Sequence, residues 1–258
     1  MDGCRNSGRD PGQESKGMNH LIQAIRFLTI LPFREPDDGF SPSKAAVWFP
    51  VVGLILGAAV SMVDALLICL WPKAVVSVFD IVLLIVLSGA FHLDGLGDTA
   101  DGLLGYRSRE AALDIMKDSR VGAMGVVAIT CCILLKCVAL GALGPERAFV
   151  LVMVPAISRL TPILGMQFLP YCRQSGTGKA FFEEAIPPEA WMVGIVPILM
   201  MLVLGFRGML LIMAFAGVVS GVLLWYRRRM GCITGDMLGA LIEVSETALL
   251  LAAALGAG

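Results

Sequence analysis

The sequence predicts an all-α fold, a polytopic membrane bundle of about seven transmembrane helices with its N-terminus in the cytoplasm. Three observations carry this expectation. The 258-residue chain is 57% hydrophobic and only 16% charged, against roughly 45–50% and about 25% in soluble domains. Its apolar residues fall in long runs, several reaching the roughly 20 residues that a helical crossing of the bilayer requires. Lysine and arginine alternate between many and few from one inter-run segment to the next, as a positive-inside orientation demands.

Residues 1–17 are polar and rich in glycine and serine, and are expected to form a disordered extension. They lack the apolar centre of a signal peptide. Residues 18–258 are expected to form a single membrane-embedded catalytic domain. Within it, residues 18–33 hold Arg26 in a short apolar stretch and read as an interfacial helix ending at Pro32. Ser41 and Pro42 supply a cap and a first helical position. The expected spans are 46–71, 74–93, 121–143, 148–169, 190–206, 209–226 and 237–257.

The basic residues before the first span are Arg5, Arg9, Lys16, Arg26, Arg34 and Lys44. The next segments hold Lys73; then Arg107, Arg109, Lys117 and Arg120; then Arg147; then Arg173 and Lys179; then Arg207; then Arg227, Arg228 and Arg229. This alternation places the polar segments 94–120 and 227–236 on the cytoplasmic side. The net charge of −1 says nothing about nucleic acid; the expected partners are the lipid bilayer and small-molecule substrates, with no nucleic acid. The seven cysteines are odd in number and include no CxxC pair. They read as small buried hydrophobes, with neither a disulfide framework nor a zinc site expected.

The chemistry concentrates in FHLDGLGDTADGLLGYRSREAALDIMKDSRVGAMG. Asp94, Asp98 and Asp101 are spaced i, i+4, i+7, which puts three carboxylates on one helix face. No cation stands among them. A divalent-cation site explains that arrangement, and a solvated acidic face is the plain alternative. Oxygen-only ligands suit Mg²⁺ or Mn²⁺ better than zinc. The interleaved Gly95, Gly97, Gly102 and Gly105 allow close approach by a neighbour or ligand.

Asp114 and Asp118 follow at i, i+4, with Arg107, Arg109, Lys117 and Arg120 nearby; the acids read as metal-holding and the arginines as phosphate-holding groups, with a surface ion-pair face the alternative for Asp114 and Lys117. A second acidic set, Asp236, Glu243 and Glu246, lies on one face of the last apolar run, where ionised acids are costly and usually functional. No basic residue follows Arg229, so these acids have no local partner in the sequence. Arg159 is an intramembrane cation expected to face an acid cluster or a phosphate. RQSGTGKAFF lacks the phosphate-loop pattern and reads as a mobile basic loop or a linker. His92 reads either as a core residue or as a second contact to the site.

These residues resemble a known family. HLDGLGDTADGLLGYRSREAALDIMKDSRVGAMG, FLTILP, FPVVGLILGA, the ISR around Arg159 and TGDMLGALIEVSE are similar to the cobalamin synthase (adenosylcobinamide-GDP ribazoletransferase) family over nearly all of residues 18–258. One departure is that Cys232 follows a single Gly231 where the family has a glycine pair. The resemblance implies an Mg²⁺-dependent enzyme (Mn²⁺ a substitute) of the cell inner membrane, its active site facing the cytoplasm. A hydroxyl of α-ribazole, or of its 5′-phosphate, attacks the cobinamide-side phosphorus of adenosylcobinamide-GDP, and GMP leaves.

On this reading Asp94, Asp98, Asp101 and Asp236 hold metal, and Asp94, Asp98, Asp101, Asp118, Arg120 and Arg159 serve catalysis. Substrate contacts then fall to His92, Arg107, Arg173, Lys179, Thr234, Glu243 and Glu246. A homo-oligomer is compatible with the sequence. Two other classes stay open. A CDP-alcohol phosphotransferase also uses aspartates on membrane helices, although its spacing is not met after Asp101. An ion-coupled transporter is suggested by Glu243 and Glu246.

Overall fold

The structure, a computed structural model, describes residues 11–34, 41–173 and 178–256. Residues 1–10 of the expected extension lie outside the described residues, and the first helix begins at Pro11. Among the described residues the regular structure is helical, with one isolated bridge between Tyr171 and Ile233. In order the helices are α1 (Pro11–Leu28), α2 (Pro42–Ala46), α3 (Phe49–Leu67), α4 (Lys73–Leu87), α5 (Phe91–Leu103), α6 (Arg109–Ile115), α7 (Ala123–Ala142), α8 (Arg147–Ser158), α9 (Thr161–Phe168), α10 (Pro188–Met201), α11 (Phe206–Arg229) and α12 (Gly235–Ala253).

Among the described residues four helical stretches are long and apolar enough to cross a membrane: Phe49–Leu67, Ala123–Ala142, Arg147–Phe168 and Phe206–Arg229. A fifth arises only if α4 and α5 are counted together, and those two meet at 89°. The expected span 74–93 therefore breaks. The break falls at Gly89 and Ala90, both with left-handed backbone (φ 62° and 56°), which turns the polar α5 out of line with the apolar α4. Helix α5, with its acids, is by itself too short and too polar to cross a membrane. Apolar α10 is shorter than a full crossing. Helix α12 has 19 residues, but they include Asp236, Glu243 and Glu246.

Helix α12 forms the centre. It is buried along most of its length, with α5, α7, α8, α9 and α11 against it. The lipid-facing work falls to the outer helices: Val75, Val78, Val82 and Val86 of α4 and Val127, Leu134 and Val138 of α7 are exposed. Helices α3 and α8 lie close because Gly53 has no side chain; a methyl group there would collide with the Pro155 carbonyl. Small residues at helix contacts are the usual route to tight association in lipid.

Charges inside the bundle are paired. Arg147 begins α8 and is buried; it lies 2.8 Å from Asp64 of α3 and 2.6 Å from Asp80 of α4. It also donates to Ser77 at 2.9 Å. An isolated charge in this environment would cost several kcal/mol, so one arginine ties three helices together.

Candidate functional site

Helix α5 carries its three aspartates as the spacing anticipates, on one helix. Its neighbour is the first turn of α12. The two backbones approach at Gly95, where an added Cβ would sit 2.7 Å from the Asp236 carbonyl oxygen. The acidic end of α5 and Asp236 thus belong to one place, although more than a hundred residues separate them in sequence.

Burial and the neighbouring carboxylates of Asp94, Asp236 and Asp101 push the Asp98 carboxyl up to about 6. Burial also raises Asp236, with Arg173 opposing. The Arg173 guanidinium stands 2.7 Å from the Asp236 carboxylate. Thr234 caps α12, its hydroxyl accepting from the Met237 N–H at 3.2 Å, and lies 3.4 Å from Asp236.

Arg173 reaches this place through a pairing that the sequence conceals. The chain after α9 runs beside the chain before α12: the Cys172 N–H donates to the Ile233 carbonyl, and the Ile233 N–H to the Pro170 carbonyl, both at 2.9 Å. Cys172 and Cys232 are joined as a disulfide. This corrects the expectation that no cysteines pair. Sixty residues separate the two, and only the tertiary fold makes them neighbours. The expectation of buried cysteines also fails at Cys69 and Cys131, which are exposed.

Asp101 is turned away from the other acids toward the start of α7. Its carboxylate accepts the Gly122 N–H at 2.7 Å and the Gly125 N–H at 2.9 Å. These are orphan donors at a helix start, and a carboxylate suits them by charge as well. A side chain at either glycine would overlap that carboxylate, which accounts for the spacing in VGAMG.

The remaining expected site residues separate into three groups. Asp118 lies beyond the end of α6 and pairs with the exposed Arg120 at 2.5 Å; the guanidinium hydrogen bonds hold the Asp118 carboxyl down to about 2. The i, i+4 helical pairing of Asp114 with Asp118 is not formed, because α6 ends at Ile115. Arg107 donates to the Asp101 carbonyl at 3.3 Å. Lys179 stands 3.7 Å from Glu183 at the surface; residues 174–177 of the glycine-containing loop lie outside the described residues.

The third group is buried, and its carboxylates are paired with cations. Lys136 of α7 lies 2.6 Å from Glu243 and 2.7 Å from Glu246. Arg159 lies 3.0 Å from Glu246, as does the Ser158 hydroxyl. Glu243 and Glu246 therefore do have cationic partners, supplied by other helices rather than by the chain after Arg229. Lys136 was missed by sequence reasoning, although a lysine inside an apolar run is itself a signal. Arg159 faces this pair of glutamates. His92 is buried close by, its backbone against Gly239 of α12.

Among the described residues no group of three or more histidine, cysteine, aspartate or glutamate side chains converges as a ready-made metal site. The donors at the α5–α12 junction are all oxygens, and they repel one another, which suits a hard divalent cation in kind and in sign. Mg²⁺ commonly takes only one or two protein carboxylates and completes its shell with phosphates and waters. One or two of Asp94, Asp98 and Asp236 could serve in that way; both oxygens of Asp101 already serve α7.

Comparison with known proteins gives a consistent result. A family model described as cobalamin-5-phosphate synthase matches residues 20–254. The adenosylcobinamide-GDP ribazoletransferase of Roseiflexus sp. (strain RS-1) is 34% identical over 242 residues, covering 91% of this chain and 89% of its own. That of Syntrophobacter fumaroxidans is 38% identical over 244 residues, covering 92% and 98%. That of Chlorobaculum tepidum is 37% identical over 246 residues, covering 92% and 96%. No solved structure matches the chain.

Proposed function

The chain belongs to the cobalamin-5-phosphate synthase family, and from that premise we propose that it joins adenosylcobinamide-GDP to α-ribazole, or to α-ribazole 5′-phosphate. The products are adenosylcobalamin, or its 5′-phosphate, and GMP. The observation that carries this reading is the meeting of the α5 carboxylates with Asp236 and Arg173. A diphosphate needs its charge offset while one phosphorus–oxygen bond breaks, and this junction combines acids for a metal with a cation for phosphate oxygens.

One or two of the Asp94, Asp98 and Asp236 carboxylates would hold Mg²⁺, which supplies Lewis-acid stabilisation of the phosphoryl oxygens when bound. Arg173, already against Asp236, would bind a non-bridging phosphate oxygen and orient the diphosphate. The ribazole hydroxyl oxygen forms a bond to the cobinamide-side phosphorus, and the bond from that phosphorus to the bridging oxygen breaks. GMP departs with the electron pair. The hydroxyl proton passes to a carboxylate of the junction.

The site faces the cytoplasm of a multi-pass protein of the cell inner membrane. Support comes from the alternating basic counts and from Arg227, Arg228 and Arg229, which end α11 beside the junction segment. Purified protein in detergent, given adenosylcobinamide-GDP, α-ribazole and Mg²⁺, should release GMP and form adenosylcobalamin in equal amounts. Turnover of a CDP-alcohol substrate instead, with none of these products, would overturn the reading.

A further inference from the structure

Beside the α5–α12 junction lies a partly open recess of about 50 Å³. Four phenylalanines gather there. Phe27 lies 5.9 Å from Phe49, 5.8 Å from Phe91 and 4.8 Å from Phe181, ring centre to ring centre, and Phe49 lies 5.8 Å from Phe181. The other wall is the start of α12, at Gly235 and Gly239. Among the described residues that line the recess, His92 alone carries a side-chain nitrogen or oxygen. It is 2% exposed, and its Nε2 has no hydrogen-bond partner among them.

A buried nitrogen left unpaired is costly, and no other side chain lining the recess offers it a partner. The occupant that completes such a site is flat, apolar and equipped with a single hydrogen-bonding atom. An enclosed apolar cavity of roughly 150 Å³ holds a benzene ring. A 50 Å³ recess takes the leading edge of a ring, with the rest of the ring lying across the open side against the phenylalanines. Aromatic rings favour such offset and edge contacts.

The substrates of the proposed reaction differ in this respect. Guanine presents a carbonyl, a ring N–H and an amino group along one edge, and adenine an amino group beside ring nitrogens. Either would leave polar groups unpaired among the phenylalanines. The base of α-ribazole is a benzimidazole: one ring nitrogen carries the sugar, one is a free acceptor, and its remaining edge is hydrocarbon. We propose that this recess is the binding site for the aromatic base of α-ribazole, with His92 Nε2–H donating to its free ring nitrogen. The position is consistent with the chemistry, because Gly235 adjoins Asp236 and His92 lies on the helix of Asp94, so a ribose attached to the base can extend to the acids. This assignment rests on the activity proposed above.

The test is equilibrium dialysis of α-ribazole against purified protein in detergent, for the wild type and for His92→Phe, His92→Gln and Phe181→Ala. Dialysis of adenosylcobinamide-GDP runs in parallel. The expected result is about three- to tenfold weaker α-ribazole binding by His92→Phe, the loss of one hydrogen bond. His92→Gln, which restores a donor, should recover part of that loss. Phe181→Ala should weaken α-ribazole binding comparably, while adenosylcobinamide-GDP binding stays within about twofold throughout. The proposal is overturned if the wild type binds no α-ribazole, if the variants bind it equally well, or if the weakening falls on adenosylcobinamide-GDP instead. Failure of the wild type to release GMP would refute the assigned reaction and leave the dialysis result to stand or fall by itself.

Discussion

At Asp98 burial and three neighbouring carboxylates push the pKa to about 6. The folded protein therefore holds a proton there more tightly than the unfolded chain does. Below the ordinary carboxylate range both states are protonated; between about pH 4 and about pH 6 only the folded state is. In the absence of divalent ions, stability should fall as pH rises through that window. Melting in detergent with EDTA should show this slope, and Asp98→Asn should flatten it. Mg²⁺ should raise the melting temperature of the wild type near pH 7, by binding the folded state alone, and should do so much less for Asp98→Asn. An identical response in both proteins would contradict a metal role for Asp98. Asp101 separates from this group through Gly122 and Gly125. A valine at either glycine would dislodge its carboxylate from the start of α7, and Gly125→Val should lower the melting temperature with Mg²⁺ present or absent. The i, i+4, i+7 spacing revealed the shared helix, but spacing assigns a face and not a partner, so the turn of Asp101 toward α7 was hidden. Arg173 was visible as a loop cation; its contact with Asp236 depends on the pairing of residues 170–173 with 231–234.

The elements themselves were legible where an apolar run is uninterrupted. The expected spans 121–143, 148–169 and 209–226 correspond to α7, to α8 with α9, and to α11. Span 74–93 failed because its hydropathy continues through a backbone turn at Gly89 and Ala90, which a window average cannot register. The glutamates of α12 were visible as costly charges, but their partner, Lys136, sits on a helix whose apolar run masks it. With Lys136, Arg159 and Ser158 in place, Glu243 and Glu246 have a structural explanation, and their burial no longer argues for transport. Lys136→Met should destabilise the protein by about 3–5 kcal/mol, the usual cost of leaving a buried acid without its cation. Lys136→Met combined with Glu243→Gln should recover part of that loss. Thermal melting checks both, and a double variant less stable than Lys136→Met would contradict the pairing.

At the scale of the whole molecule, α12 is a buried axle, and its first turn is where the distant acidic segments meet. The alternating basic counts predict that Ser108 and Arg228 lie on the cytoplasmic side. Cysteines introduced there, in a background without the native ones, should be protected in intact cells from an impermeant thiol reagent and labelled once the membrane is opened. Labelling of both in intact cells would invert the topology.

The central claim is that α5 and α12 build one phosphoryl-transfer site, and GMP release by Asp98→Asn, Asp236→Asn and the double variant, each shown to be folded and membrane-bound, tests it most directly. Each single change should lower turnover by about a hundredfold or more, and the double change should cost little beyond either one, because groups that act as a unit are not additive. Near-normal turnover by Asp236→Asn, or losses that simply multiply in the double variant, would contradict a shared site.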